Sequence, residues 1–384
     1  MVDGKRNAVK LTIFLVAINL LLVLAMVTVV AQPADDLLPV SSYDEEVQPA
    51  QNLAIGGETV QIRFSTWHLP DSIEMQTVWI PMLEELKDRS DGRISYTILD
   101  GTFPGEGTGS YDMVADGISD MGYATLTWTP GRFPLTDVLS LPATIECKDT
   151  AAEIGNVMYE RILHQEFPDV KVIELNGCIS SYLWTEKPVH TMEDAKGLKI
   201  RTPGGQQTNC IRAIGAEPVF MPIADVYTAL ENGTVDGIVT CAPMILSYNL
   251  YEVVRYGTLA TFGCVDEGVF MNLDSWETIP EDLKPIIVDV CRNPYHTTGG
   301  LTREAYLEMM EDINETGVIF YTLPPDEAER WYAAFQEETR GWVTGLEAEG
   351  LPAKDAVRIF KEECETRGVE CVAFPPEWEI SSTV

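Results

Sequence analysis

Asp194 to Gly237 reads DAKGLKIRTPGGQQTNCIRAIGAEPVFMPIADVYTALENGTVDG. Lys199 to Arg201 predicts a strand that ends at the break Pro203-Gly204-Gly205. Gln206 to Ile214 then has helical spacing, and Pro218 to Met221 predicts a second strand. A helix from Ala224 to Glu231 and a strand from Gly237 to Thr240 complete the stretch. Strands joined through helices rather than tight turns predict a mostly parallel sheet with helices on both faces, an α/β fold.

The same order stands in the first half. Val60 to Ser65 (VQIRFS) alternates and predicts a strand, ending at Thr66-Trp67-His68-Leu69-Pro70. Glu74 to Arg89 is helical, with Val78, Met82, Leu83 and Leu86 on one stripe. Arg93 to Leu99 is a second strand, followed by Gly101, Gly105, Gly107 and Gly109, with Ser110 as the expected N-cap of the next helix. Met121 to Ala124 is a third strand, and Gly131-Arg132-Phe133-Pro134-Leu135 breaks the chain.

The helix-to-strand corners superpose. Tyr111, Gly117 and Asp120 match Tyr227, Gly233 and Asp236 at a constant offset of 116. Each glycine suits the left-handed residue that ends a helix. Ordinary corner chemistry explains each instance separately; two alike corners in the same element order favour two similar lobes. A cleft between such lobes gathers strand carboxyl ends and helix amino termini, a setting that favours anions. The helical region from Thr302 to Thr316 and Pro325 to Gly368 is expected to brace the lobes, with Trp331, Trp342 and Phe360 in the core.

The chain has 384 residues and 45% hydrophobic content, which excludes a disordered or fibrous protein. Its 60 acidic residues against 26 basic ones give a formal charge of −34, which repels phosphate backbones and excludes nucleic acid as a partner. That charge does not make the ligand a cation, because acid excess also keeps a protein soluble in salty surroundings.

Lys5, Arg6 and Lys10 precede an uncharged run from Leu11 to Ala31, the pattern of an export signal. The run is also long enough to cross a bilayer, so residues 1–31 are either a signal peptide or a membrane anchor. Both readings place the rest outside the cytoplasm. Residues 32–57, rich in Pro, Ser, Asp, Glu and Gln toward their start, read as a flexible linker. Eight cysteines lie at 147, 178, 210, 241, 264, 291, 364 and 371, with no close pair of the kind that holds zinc, and no metal site is expected. Cys364 and Cys371 are closest in sequence, and connectivity stays open between bridged and buried thiols.

The opening stretch strongly resembles the solute-binding proteins of tripartite ATP-independent periplasmic (TRAP) transporters, the DctP-like family. Gly197-Leu198-Lys199-Ile200-Arg201 with Pro203 is followed by Gly215-Ala216-Glu217-Pro218 and Met221-Pro222. Tyr227, Ala229 and Leu230 then lead to Gly233-Thr234-Val235-Asp236-Gly237, all in the order of that family. Asp116 to Met121, Pro130 to Leu141 and Lys187-Pro188-Val189 are similar too, and the likeness covers about residues 58–368. It implies a two-lobe periplasmic-binding-protein-like fold, with residues 58–178 and 267–306 in lobe I, 179–266 and 307–368 in lobe II, and 369–384 as a tail. It also implies hinge closure on a small organic acid and delivery to separate TRAP membrane permease subunits, with no cofactor.

The resemblance gives Arg201 the role of pairing with the ligand carboxylate. A guanidinium at a strand end can grip a carboxylate through two parallel hydrogen bonds; it can also make a lobe-bridging ion pair. Where many relatives carry a second arginine, this chain has Ser180 and Ser181, with Tyr182 and Trp184 nearby. The site therefore suits a monocarboxylate or a ligand with an aromatic or apolar body, stacked on Trp67, Trp128 or Trp184. Further candidate contacts are His68 after the first strand, Thr125 and Thr127 after the third, and Thr240 and Cys241 at the strand end after Val-Asp-Gly.

Enzyme motifs are missing. The four histidines form no H-E-x-x-H, there is no G-x-S-x-G elbow, and the glycine run 105–109 lacks the lysine of a phosphate loop. The alternative functions are the receptor of an ABC importer or a chemosensory system, and, further off, a tethered extracellular hydrolase.

Overall fold

The structure, a computed structural model, describes residues 57–72, 74–99, 108–293, 296, 301–375 and 378. The export segment, the linker before Gly57, the glycines at 101, 105 and 107 and residues 379–384 lie outside them.

Two mixed sheets organise the described chain. The first contains β1 (Val60–Ser65), β2 (Ile94–Ile98), β3 (Met121–Thr125), β4 (Val170–Gly177) and β10 (Asp266–Asn272), in the order β2-β1-β3-β10-β4. The second contains β5 (Ser181–Thr185), β6 (Lys199–Thr202), β7 (Glu217–Phe220), β8 (Gly237–Cys241), β9 (Tyr256–Thr258) and β11 (Ile319–Tyr321), in the order β11-β9-β5-β8-β6-β7. Five of the nine strand pairings are parallel. The antiparallel ones arise where β10 lies between β3 and β4, and where β5 lies between β8 and β9. In both cases the strand runs against its neighbours on either side.

The sequence periodicities account for the layers. Val269 and Met271 of β10 face one side with Met82, Leu86 and Ile287, from α1 (Ile80–Arg89) and α9 (Lys284–Cys291). Phe270 faces the other side, with Val114 of α2 (Ser110–Ala115), Met158 of α3 (Lys148–Arg161) and Phe360 of α12 (Ala353–Thr366). Alternate residues of β10 therefore feed two cores, as expected of a strand buried on both faces. The second sheet repeats this arrangement. Tyr182, Trp184 and Ile238 share one core with Val226 of α6 (Val226–Glu231), Ile245 of α7 (Ala242–Ser247) and Ile313 of α10 (Arg303–Glu315). Leu183, Ile200 and Val239 share the other with Ile211 of α5 (Gly205–Ala213) and Trp331 of α11 (Pro325–Ala348).

Several sequence expectations move by a residue or two. A single turn of wider helix, Met75–Trp79, precedes α1, and the N-cap of α2 is Gly109 rather than Ser110, which is its buried first residue and makes no capping bond. The helices not expected from the sequence are α3, α4 (Met192–Ala195), closed by a capping box between Thr191 and Asp194, α7, α8 (Leu273–Thr278) and α9. The expected lobe boundary at 306/307 falls inside α10, whose Tyr306 and Ile313 both pack with the second sheet. Helix α12, placed by the sequence in lobe II, packs in the core of the first sheet. Gly117 and Gly233 take the expected left-handed backbone, with φ of 70° and 67°.

Two of the chain's passages between the sheets, residues 178–180 and 259–265, are neighbours. The segments hold each other: Cys178 donates its N–H to Val265 O at 2.8 Å, and Ser181 donates to Gly263 O at 2.7 Å. Among the described residues, no helix is long and apolar enough to cross a membrane.

Candidate functional site

The carboxyl ends of four strands, two from each sheet, meet around a cavity of ≈ 240 Å³. Trp67 and His68 follow β1; Thr125 and Trp128 end or follow β3; Arg201 and Pro203 come from the end of β6; Thr240 and Cys241 end β8. This is the crevice that α/β sheets leave outside the carboxyl ends of their strands. Lys148, the first residue of α3, and Glu267 of β10 complete the polar lining, with Glu74 toward the rim. Met244, Leu301 and Met309 add apolar wall.

Arg201 is the electrostatic centre. It is 1% exposed and lies in register with Val219 of β7 and Ile238 of β8, so its stem is fixed by strands on both sides. Its Nε donates to Met221 O at 2.9 Å, while its buried Nη2 has no partner and the guanidinium makes no ion pair among the described residues. Burial pulls its pKa down to about 10. A buried cation without a counter-charge costs several kcal/mol by the general scale of charge desolvation, on the order of the penalty that a bound anion would remove. The turn beyond it explains the glycines: Gly204 has φ 116°, and a Cβ there would sit 2.3 Å from Thr127 O.

The opposite wall is aromatic. Trp67 lies 4.8 Å from Trp128 between ring centres and stacks on His68 at 3.9 Å and 22°. Trp67 Nε1 is buried without a partner, as is Thr125 Oγ1. His68 Nδ1 accepts from Trp79 Nε1 at 3.0 Å, which leaves the proton of the neutral ring on Nε2. Burial, reinforced by the Lys148 cation, holds the imidazole down to about 3, so it is uncharged at neutral pH.

Lys148 and Glu267 form a pair in the same wall, Nζ to Oε2 at 3.4 Å. Burial alone would push the ammonium down, but the Glu267 carboxylate overrides it and leaves the pKa raised. Tyr123 also hydrogen-bonds Glu267, and burial first, then that carboxylate, lifts its phenol well above the ordinary value.

Of the ten residues picked from the sequence, seven line the cavity: Trp67, His68, Thr125, Trp128, Arg201, Thr240 and Cys241. Three do not. Tyr182 and Trp184 share one face of β5, under α7 and α10, where Trp184 Nε1 donates to Thr240 O at 2.9 Å and Tyr182 accepts from Tyr306 at 3.0 Å. Thr127 is buried against the Gly204-Gly205 turn. Lys148 and Glu267 escaped the sequence reading, since each was one charge among 86 and lay outside the strand ends then identified. Ser180 and Ser181 have structural partners instead of ligand-facing roles. Ser180 Oγ accepts Ile145 N–H at 2.7 Å and donates to Ala143 O at 2.9 Å, and Ser181 Oγ accepts from Gln207 Nε2 at 3.0 Å.

Comparison with known proteins agrees with this architecture. Residues 64–344 match the model of the bacterial extracellular solute-binding protein, family 7. A solute-binding protein of Albidiferax ferrireducens is 23% identical over 222 residues, which are 54% of this chain and 62% of that protein, so the match falls short of two thirds of the relative's length. A TRAP solute-binding protein from Rhodoferax ferrireducens, solved with copurified benzoate, superposes with a TM-score of 0.74 at 23% identity, covering 81% of this chain and 99% of that one. A TRAP periplasmic solute-binding protein from Bordetella bronchiseptica, solved with (R)- and (S)-mandelate, gives 0.73 at 22% identity, covering 80% and 99%. With the family model spanning most of the chain and the same fold in both structures, this protein belongs to the bacterial extracellular solute-binding protein family 7.

Proposed function

We propose that the chain is the extracytoplasmic receptor of a TRAP transporter, which captures a small organic carboxylate between two lobes and delivers it to membrane permease subunits. The fully buried Arg201, with no counter-charge and an unpartnered Nη2, in a cavity between the sheets is the observation that carries this reading. Its free Nη2 would hold one carboxylate oxygen, with Trp67 Nε1 and Thr125 Oγ1 as further unpartnered donors in the opposite wall. The apolar wall and the tilted Trp67–Trp128 pair suit a flat, aromatic body, in keeping with the benzoate and mandelate held by the two structures of the same fold.

The lobes are the units built on the two sheets, and the hydrogen-bonded crossings at 178–180 and 259–265 are the hinge. Closure supplies burial and a shape for the permease to recognise, not chemistry. The basic flank before the apolar run 11–31 supports export or tethering outside the cytoplasm.

Calorimetry with benzoate, mandelate and aliphatic monocarboxylates tests the reading. At least one should bind, and Arg201→Ala should weaken it by well over tenfold, about 2–5 kcal/mol for loss of a buried charge contact. Unchanged affinity in that variant refutes the site; turnover of an ester or glycoside would support a hydrolase instead.

A further inference from the structure

We propose that Glu267 sets the charge of the solute: by occupying Lys148 it leaves Arg201 as the one cation without a counter-charge in the described cavity wall, and it restricts the site to monoanions. This rests on the reading of the cavity as a carboxylate site.

Four charged side chains line the cavity, two of each sign: Arg201 and Lys148 against Glu267 and Glu74. His68 adds no charge. Lys148 Nζ lies 3.4 Å from Glu267 Oε2, and their side chains are only 19% and 9% exposed. Tyr123 fixes the same carboxylate by a hydrogen bond. Glu74 is joined by Ser247 Oγ at 3.4 Å and also borders the adjoining hollow with Asp71 and Tyr248, so the approach to the site is negative as well.

A solute with one carboxylate takes Arg201 and meets apolar wall elsewhere. A second carboxylate has one cation left to reach, Lys148, and must share it with Glu267 or displace Glu267 from it. Either way Glu267 is left buried beside an incoming anion without a counter-charge of its own, which is the costly arrangement for a charge in a low-dielectric site. A built-in repulsion against the wrong ligand is a general route to specificity. Ser180 and Ser181 offer no substitute cation, and both are tied to backbone or Gln207.

Matched probes that differ only in charge decide the matter by calorimetry on the purified protein. One pair is terephthalate and 4-carbamoylbenzoate; the other is succinate and succinamate. The native protein should bind the monoanion of at least one pair tenfold or more tighter than its dianion. Glu267→Gln frees Lys148 and should shift that preference at least tenfold toward the dianion. Lys148→Met combined with Glu267→Gln should show no such gain, which separates the freed charge from freed space.

Equal affinity of the native protein for the two members of a pair overturns the proposal, and that comparison needs no substitution and no refolding of a variant. So does a Glu267→Gln protein that still binds the monoanion but keeps the native preference. If neither pair binds the native protein, nor benzoate, mandelate or an aliphatic monocarboxylate, the carboxylate reading falls and this inference with it.

Discussion

Asp120 and Asp236 hold equivalent positions in separate sheets. Asp120 Oδ2 accepts the N–H of Arg63 in β1 at 2.8 Å, and Asp236 Oδ2 accepts the N–H of Lys199 in β6 at 2.8 Å. Each aspartate returns its own N–H to the carbonyl of the same residue, at 2.9 Å and 2.7 Å. Each ring starts a strand, β3 or β8, whose far end lines the cavity. The partner sets differ, however. Asp120 also receives Arg63 Nε at 2.9 Å and Ser275 Oγ at 2.9 Å, whereas Asp236 is exposed. Asp236→Ala should cost about 1 kcal/mol, and Asp120→Ala about 2–3 kcal/mol, on the scale of hydrogen bonds to charged groups. Urea midpoints read the difference, and equal losses would contradict it.

The recurring corner was legible because it is local: a helix end, a left-handed glycine and an aspartate within ten residues of one another. The strand ends that bear Trp67, Arg201 and Thr240 were legible for the same reason. β10 was not. It begins Asp266-Glu267-Gly268, three residues with low strand preference, and its place between β3 and β4 is set by partners about 90 to 150 residues away. Lys148 and Glu267 lie 119 residues apart and meet only through that strand. Trp184 misled for the opposite reason, since a tryptophan near a ligand motif is as well suited to a two-faced core as to stacking on a solute.

Arg201 should trade stability for binding. Its guanidinium is buried, with Met221 O as the partner of Nε and none for Nη2. Arg201→Met keeps the volume of the stem and removes the uncompensated charge, so the ligand-free protein should become more stable, by about 1–3 kcal/mol, while carboxylate binding is lost. Thermal melts without ligand test this. A lower melting temperature for the variant would mean that the cation is already compensated before ligand arrives.

His68 should leave a signature in stability against pH. Its folded pKa is lowered to about 3 by burial, then by Lys148, against 6.5 in the unfolded chain. Between these values the unfolded state binds a proton that the folded state does not. The contribution is therefore complete above about pH 6.5 and is lost as pH falls, by up to about 1.4 kcal/mol per pH unit. Asp266 acts with the opposite sign, because burial raises its carboxyl well above the ordinary range. The measurement is thus the difference between the native protein and His68→Asn, whose amide oxygen can still accept from Trp79. That difference should be flat above pH 7 and slope between pH 6 and 4; a flat line throughout would place a charged imidazole in the folded state.

The thiols should oxidise in a set order. Cys178 and Cys241 touch, Sγ to Sγ at 2.7 Å, and Cys364 and Cys371 are hydrogen-bonded to each other. In each pair the mutual hydrogen bond and then burial raise the thiol pKa of Cys178 and Cys364, which slows attack by disfavouring the thiolate. Cys371 is half-buried, whereas Cys178 and Cys241 are 6% and 3% exposed in the cavity wall. Glutathione disulfide takes two electrons and two protons from each pair and leaves as two molecules of glutathione. Applied to the folded protein, it should cross-link Cys364 to Cys371 first and Cys178 to Cys241 later, as read by peptide mapping without reduction. A carboxylate in the cavity should delay the second step further. The reverse order would mean that the cavity opens to the reagent more readily than the face around Cys371, and that the crossing at Cys178 is loose.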